Sequence, residues 1–230
     1  MRLFFHHNAV RRFAAFTLVE LLAVIAMIGV LAGILIPVVT SIRQGAGDVQ
    51  AANNIRQLAV AEMAYASEHH GQLTPIWNYA GDLPQRTWMI RLVPYIYPDV
   101  TSSSQLSTLR RSSDTAFDMP EADRGTATAP LLSVAMNWSI ATQFGPALYP
   151  IHSMPKPSSI IMLGEIVERN SDTMIPHDIG SGVGAPGTPG FRRSGTKAMM
   201  AFCDGHVAAL TVAELTYNNK TQSTNPWRWW

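Results

Sequence analysis

Six side chains in the second half of the chain are of types that hold metals or move protons: His152, Glu165, His177, Asp178, Asp204 and His206. The carboxylates of Asp204 and Glu165 are the candidates for Ca²⁺. That ion takes about six to eight oxygen ligands, and no dense D-x-D-x-D-G run supplies them. Cys203 and His206 flank the Asp204-Gly205 pair and are of zinc-binding type, but two ligands fall short of the about four a zinc site needs. A plainer account is that Asp204 and Gly205 form a turn and His206 opens a strand. A catalytic nucleophile requires a base within hydrogen-bond reach, and the scattered Ser and His residues show no such spacing. The Gly/Pro-rich stretch between 170 and 194 lacks the Lys-Ser/Thr ending of a phosphate loop. The sequence therefore reads as no enzyme and no resident cofactor, with Ca²⁺ at Asp204 and Glu165 as the one ion to test.

Glu20 is the carboxylate in the least usual surroundings. It is the one ionisable side chain between positions 16 and 39. As a helix at about 1.5 Å per residue this stretch is about 36 Å long, enough to cross a hydrocarbon core of about 30 Å. A lone carboxylate in such a segment is costly unless it has a partner or a task. Residues 1–15 hold Arg2, Arg11 and Arg12 and no acid. Positive charge beside an apolar span stays in the cytosol, so the expectation is a single pass through the inner membrane, N-terminus cytoplasmic and head extracytoplasmic. A secretory signal cut beyond the apolar run and an uncleaved anchor are the rivals. Neither accounts for Glu20 inside that run.

These residues must be carried by a long helix and a small sheet. Gly29, Gly33 and Pro37 weaken the second half of the span, since Pro lacks an N–H and clashes with the preceding turn. From 40 to about 70 the pattern becomes amphipathic. Val49, Ala52, Ile55, Ala59, Met63 and Ala66 are spaced to line one face, with Asp48, Gln50, Asn53, Asn54, Arg56 and Gln57 on the remainder. An interruption is expected near Gly45 and Gly47, and a stop at Gly71. Beyond it, 73–85 reads as loop, 88–97 as a short helix ended near Pro94 or Pro98, and 99–129 as a surface excursion with one short helix around 104–111. Residues 131–138 and 160–165 read as strands. Two apolar runs, 197–203 and 206–212, flank Asp204-Gly205, the strongest short hairpin signal because both central turn residues can take positive φ. The tail ends in Trp227, Trp229 and Trp230.

The segment Ala15-Phe16-Thr17-Leu18-Val19-Glu20, behind a basic leader and before an apolar helix, resembles the type IV prepilin and type II secretion pseudopilin family. Gly29 and Pro37 fall where pilin helices commonly carry Gly and Pro. Where the family prefers Gly, this chain has Ala15. The resemblance implies cleavage after Ala15 by a prepilin peptidase/methyltransferase that recognises Ala15, Phe16 and Glu20, followed by N-methylation of Phe16. It also implies that Glu20, Gly29 and Pro37 serve assembly, with Glu20 pairing to the terminal amine of a neighbouring subunit. Residues 52–58 are similar to the N-N-L-K-Q-I/L segment of a pseudopilin-like group, and Phe202-Cys203-Asp204-Gly205-His206-Val207 resembles its C-terminal H-x9-D-G element. Ser194 replaces that element's leading His.

Composition bounds the rest. With 230 residues, one membrane helix and one soluble head account for the length. A net charge of +1 gives no basic field for nucleic acid. One cysteine excludes an internal disulfide. The expected organisation is a leader at 1–15, a transmembrane helix at 16–39, its amphipathic continuation at 40–70 and an α+β head at 71–230. The fold expected by resemblance is pilin-like: a long bent helix packed on a small antiparallel sheet with loop-rich insertions. The implied function is a structural subunit of a pseudopilus or pilus-like fibre, with other pilin-like subunits and an inner-membrane assembly platform as partners. The alternative is a membrane-tethered extracytoplasmic binding module that does not polymerise. A third reading is a secreted hydrolase.

Overall fold

The structure is a computed structural model that describes residues 17–75, 88–109, 115–119, 133–137, 140, 150–166, 173–174, 189–191 and 196–215. The chain is α+β. Its first element is helix α1 (Leu18–Glu68), followed by α2 (Trp88–Ile96) and α3 (Ser103–Leu109). The strands are β1 (Val134–Asn137), β2 (Ile161–Glu165), β3 (Thr173–Met174), β4 (Lys197–Phe202) and β5 (Val207–Thr211), and α4 (Val212–Leu215) follows. The chain divides into two compact units, Met1–Gln44 and Gly45–Trp230, and α1 contributes to both.

In the first unit, α1 is apolar and outward-facing. Residues 18–39 are exposed except for half-buried Ala32. The helix is long and apolar enough to cross a membrane. Gly33 to Pro37 stays helical, so the expected loosening is not a break. The Thr40 hydroxyl donates to the Ile36 carbonyl at 2.6 Å. Gly45 and Gly47 are helical too, against the expected interruption, although the boundary between the units falls at Gly45.

In the second unit α1 becomes a core helix. Ala51, Ile55, Leu58, Ala59, Ala61 and Tyr65 join Trp88 and Leu92 of α2 and Met136 of β1 in the main hydrophobic cluster. This corrects the expected face. Val49 is 71% exposed, Ala52 and Met63 are half-buried, and Asn54, placed on the polar side by its type, is buried. The helix stops where His70 and Gly71 both adopt left-handed φ, 58° and 81°, and the Gly71 N–H reaches back to the Ala66 carbonyl at 2.7 Å. Gly is the usual residue at the first such position, because a Cβ there meets its own carbonyl. His70→Gly is expected to stabilise the second unit by about 1 kcal/mol in urea unfolding. At Gly71 an added Cβ would lie 2.6 Å from Nδ1 of His152, so Gly71→Ala works in the opposite direction.

The sheet order is β3-β1-β2-β4-β5. β1, β2, β4 and β5 form an antiparallel series with Val134 opposite Glu165, Gly164 opposite Met200 and Lys197 opposite Thr211. The two-residue β3 is parallel to β1, so the sheet is not purely antiparallel as expected. Both faces are covered. Met136, Met199 and Ala201 face the main cluster, while Ala135, Ala198, Met200 and Phe202 join Leu215 in a second one. Strands buried on both sides read as unbroken apolar runs rather than alternation, which is why their runs were visible in the sequence. α2 runs through Pro94 to Ile96, between the two expected stops.

Candidate functional site

The first candidate site is the start of α1. Oε2 of Glu20 accepts from the Thr17 N–H at 2.9 Å and from the Thr17 hydroxyl at 2.8 Å, and the Glu20 N–H donates to Thr17 Oγ1 at 3.2 Å. This is a capping box: residue one satisfies an orphan N–H of residue four, and residue four returns the bond. The same device opens α3 through Ser102 and Gln105, and α4 through Thr211 and Glu214. The first stands among Ser and Thr residues and the second beside Leu210 and Val212, so the box alone is a folding signal. Glu20 differs in its surroundings: Leu18, Val19 and Leu21 beside it are exposed apolar side chains. Both accepted bonds fall on Oε2, and no bond reaches Oε1 among the described residues. Gly29 has open space where a Cβ would stand. Ala15 and Phe16 lie outside the described residues.

The second candidate is the tip of the β4–β5 hairpin. The Asp-Gly signal is correct and the expected turn type is not. The loop has three residues, Cys203 to Gly205, closed by Phe202 N–H to His206 carbonyl at 2.9 Å and Gly205 N–H to Phe202 carbonyl at 2.8 Å. Gly205 alone takes positive φ, 88°; this is the three-residue hairpin with a bulge glycine. Asp204 Oδ1 accepts the His206 N–H at 3.1 Å and meets its Nδ1 at 2.5 Å. The His206 ring stacks on Phe202 at 4.1 Å. Partial burial works against the Asp204 charge, but the His206 N–H and ring outweigh it and hold the carboxyl below the usual range. The pair fixes one imidazole orientation at an exposed turn.

The other sequence candidates do not converge there. Glu165 is buried and accepts the Met199 N–H at 2.7 Å. It stands four positions along β2 from Ile161, which pairs with Phe202 at the hairpin end; at about 3.3 Å per residue that is about 13 Å. The Ca²⁺ pair of Asp204 and Glu165 is therefore not assembled by the fold. Cys203 is buried and its thiol is pushed up by that burial, opposite to what a zinc thiolate requires. His152 lies against Gly71, in a different part of the head. His177 and Asp178 lie outside the described residues. Among the described residues no group of three or more His, Cys, Asp or Glu side chains converges.

No family model, curated protein or solved structure matches the chain.

Sequence reading missed the buried polar groups. Asn54 Nδ2 donates to the Thr115 carbonyl at 3.3 Å and the Asp118 carbonyl at 2.9 Å, tying α1 to the 115–119 segment. Ser133 Oγ accepts the Met119 N–H at 2.6 Å. Asn137 Nδ2 donates to the Ile161 carbonyl at 2.7 Å. Glu62 is wholly buried, one oxygen accepting the Thr74 N–H and the other the Thr74 hydroxyl at 2.8 Å. A signal did exist for Asn54 and Glu62. Positions 51, 54, 55, 58, 62 and 65 follow helical spacing, and the two polar residues fall on that stripe.

Proposed function

We propose that the chain is a prepilin-like structural subunit, cut after Ala15, N-methylated on Phe16 and assembled through α1 into a pseudopilus or pilus-like fibre of a type II secretion or type IV pilus-like system. The observation that carries this reading is the first half of α1. An exposed apolar helix surface begins at a carboxylate whose Oε1 has no hydrogen bond among the described residues. Such a surface needs lipid, other helices or both, and an open carboxylate oxygen in that setting needs a cation. The terminal amine of a neighbouring processed subunit has the right charge. Gly29 and Pro37 lie on the same surface, where small residues and a missing N–H ease close helix packing. The head then projects on the extracytoplasmic side, and the partners are the prepilin peptidase/methyltransferase, other pilin-like subunits and an inner-membrane assembly platform.

N-terminal mass spectrometry on protein recovered from membranes tests the first step. N-methyl-Phe16 as the first residue supports the reading. A start at Met1 indicates a static anchor, and a start beyond Val39 a released product; either overturns it. Cysteines placed near Gly29 and Pro37 test the second step. Crosslinked ladders support a fibre, whereas monomer alone favours a tethered binding module.

A further inference from the structure

Glu62 sits on α1 one turn from Leu58 and Tyr65, with no exposed surface. An ionised carboxylate offers about four acceptor sites. Among the described residues it receives two bonds here, both from Thr74, one from the N–H and one from the hydroxyl. That is thin solvation for a charge and ample for a neutral acid, whose own O–H can exchange roles with the Thr74 hydroxyl.

Among the described residues, the side chains around it supply no compensating charge. Tyr95 of α2 and Cys203 of the hairpin both sense Glu62. Burial pushes the Tyr95 hydroxyl up to about 12 and the thiol upward as well, so both are neutral between pH 5 and 8.5. Arg91 of α2 turns to the Tyr65 hydroxyl at 3.5 Å. Glu68 further along α1 accepts from Tyr95 at 2.5 Å, and Asp204 on the hairpin is held by His206. From β1 the neighbour is the sulfur of Met136, 3.9 Å from Thr74 Oγ1.

We propose that Glu62 is a proton-gated latch: neutral, it clamps the second half of α1 to the Thr74 segment; ionised, it loosens that clamp. Burial raises the Glu62 carboxyl to about 7 from an ordinary 4.5, against the lowering effect of the Thr74 N–H and hydroxyl. The closed state thus holds a proton that the open, hydrated state has given up. Between those two values the closed state binds more protons, so its stability falls as pH rises and levels off above about 7. From pH 5 to 8.5 the opening equilibrium grows by about 70-fold on these values.

Hydrogen exchange at the Thr74 amide, in the full chain in detergent micelles, reads that opening directly. After correction for intrinsic base catalysis, protection of Thr74 is expected to fall by about 70-fold from pH 5 to 8.5 in the native chain. It should stay within about threefold in Glu62→Gln, which keeps an acceptor for the amide and carries no charge. A flat native profile, or the same slope in the Gln variant, overturns the latch. Should the Gln variant fail to fold, infrared titration of the native chain decides. A buried carboxyl band lost with a midpoint near 7 supports the latch, and carboxyl bands lost only near the ordinary glutamate value overturn it.

Discussion

On the fibre reading, Glu20→Ala or Glu20→Val is expected to leave membrane insertion intact and to abolish assembly. The expectation follows from charge. In a low-dielectric setting an ion pair is several-fold stronger than in water, so losing the carboxylate removes the attraction to a neighbouring subunit's terminal amine. Glu20 also closes a capping box, and removing its carboxylate leaves the Thr17 N–H without that partner. The two roles separate in Glu20→Gln, because a Gln at the fourth position of such a box still accepts from the first residue. Under charge pairing, the Gln variant inserts, keeps its helix and fails to assemble. Thr17→Val, which loses the hydroxyl but keeps the carboxylate, assembles at reduced yield. The measurement is sheared or crosslinked fibre yield against equal membrane levels of each variant. Normal fibres from the Gln variant would reduce Glu20 to a helix cap.

Trp88→Ala unfolds the second unit at physiological temperature. Trp88 is fully buried at the start of α2 and meets the Phe117 ring edge-on at 6.1 Å. Deleting so large a buried side chain costs about 3–5 kcal/mol, against a total of about 5–15 kcal/mol for a domain. The Phe117 segment carries the Asp118 carbonyl that Asn54 engages, so its loosening also leaves a buried amide short of a partner. The expected readout is loss of the cooperative melt of the head, with rapid proteolysis beyond residue 70 and an undiminished membrane-extracted helix. A melt within a few degrees of the native one would show that the Trp88 site collapses without cost.

Much of this architecture was legible because it depends on near neighbours in the sequence. The apolar span of α1, the paired runs around Asp204-Gly205 and the apolar strand at 161–165 are each local patterns. The phase of the buried face beyond residue 45 was not, because Ala and polar residues carry little hydrophobic contrast. Val49 faces out while Asn54 and Glu62 face in. Both polar residues are tolerated inside because loops distant in sequence bring carbonyls, an amide and a hydroxyl to meet them. The hairpin's turn type escaped notice for a related reason: Cys203 joins the loop while packing into the main cluster, among residues distant in sequence. Of the candidate site, Glu20 was identified by its isolation in an apolar run. Its capping partner Thr17 was in plain sight as T-x-x-E, a pattern repeated at Thr211–Glu214 and varied as S-x-x-Q at Ser102–Gln105.

The burial of sulfur in the head has a chemical consequence. The thiolate, not the thiol, is what oxidants and alkylating agents attack. Cys203 has no exposed surface and burial favours its protonated form. Met119, Met136, Met162 and Met200 are equally enclosed. An oxidising compartment would ordinarily link lone cysteines between chains or turn thioethers into sulfoxides. Here that chemistry waits on an opening of the fold. A thiol reagent applied to intact cells therefore acts as a clock: the rate at which Cys203 is labelled counts how often the head comes apart.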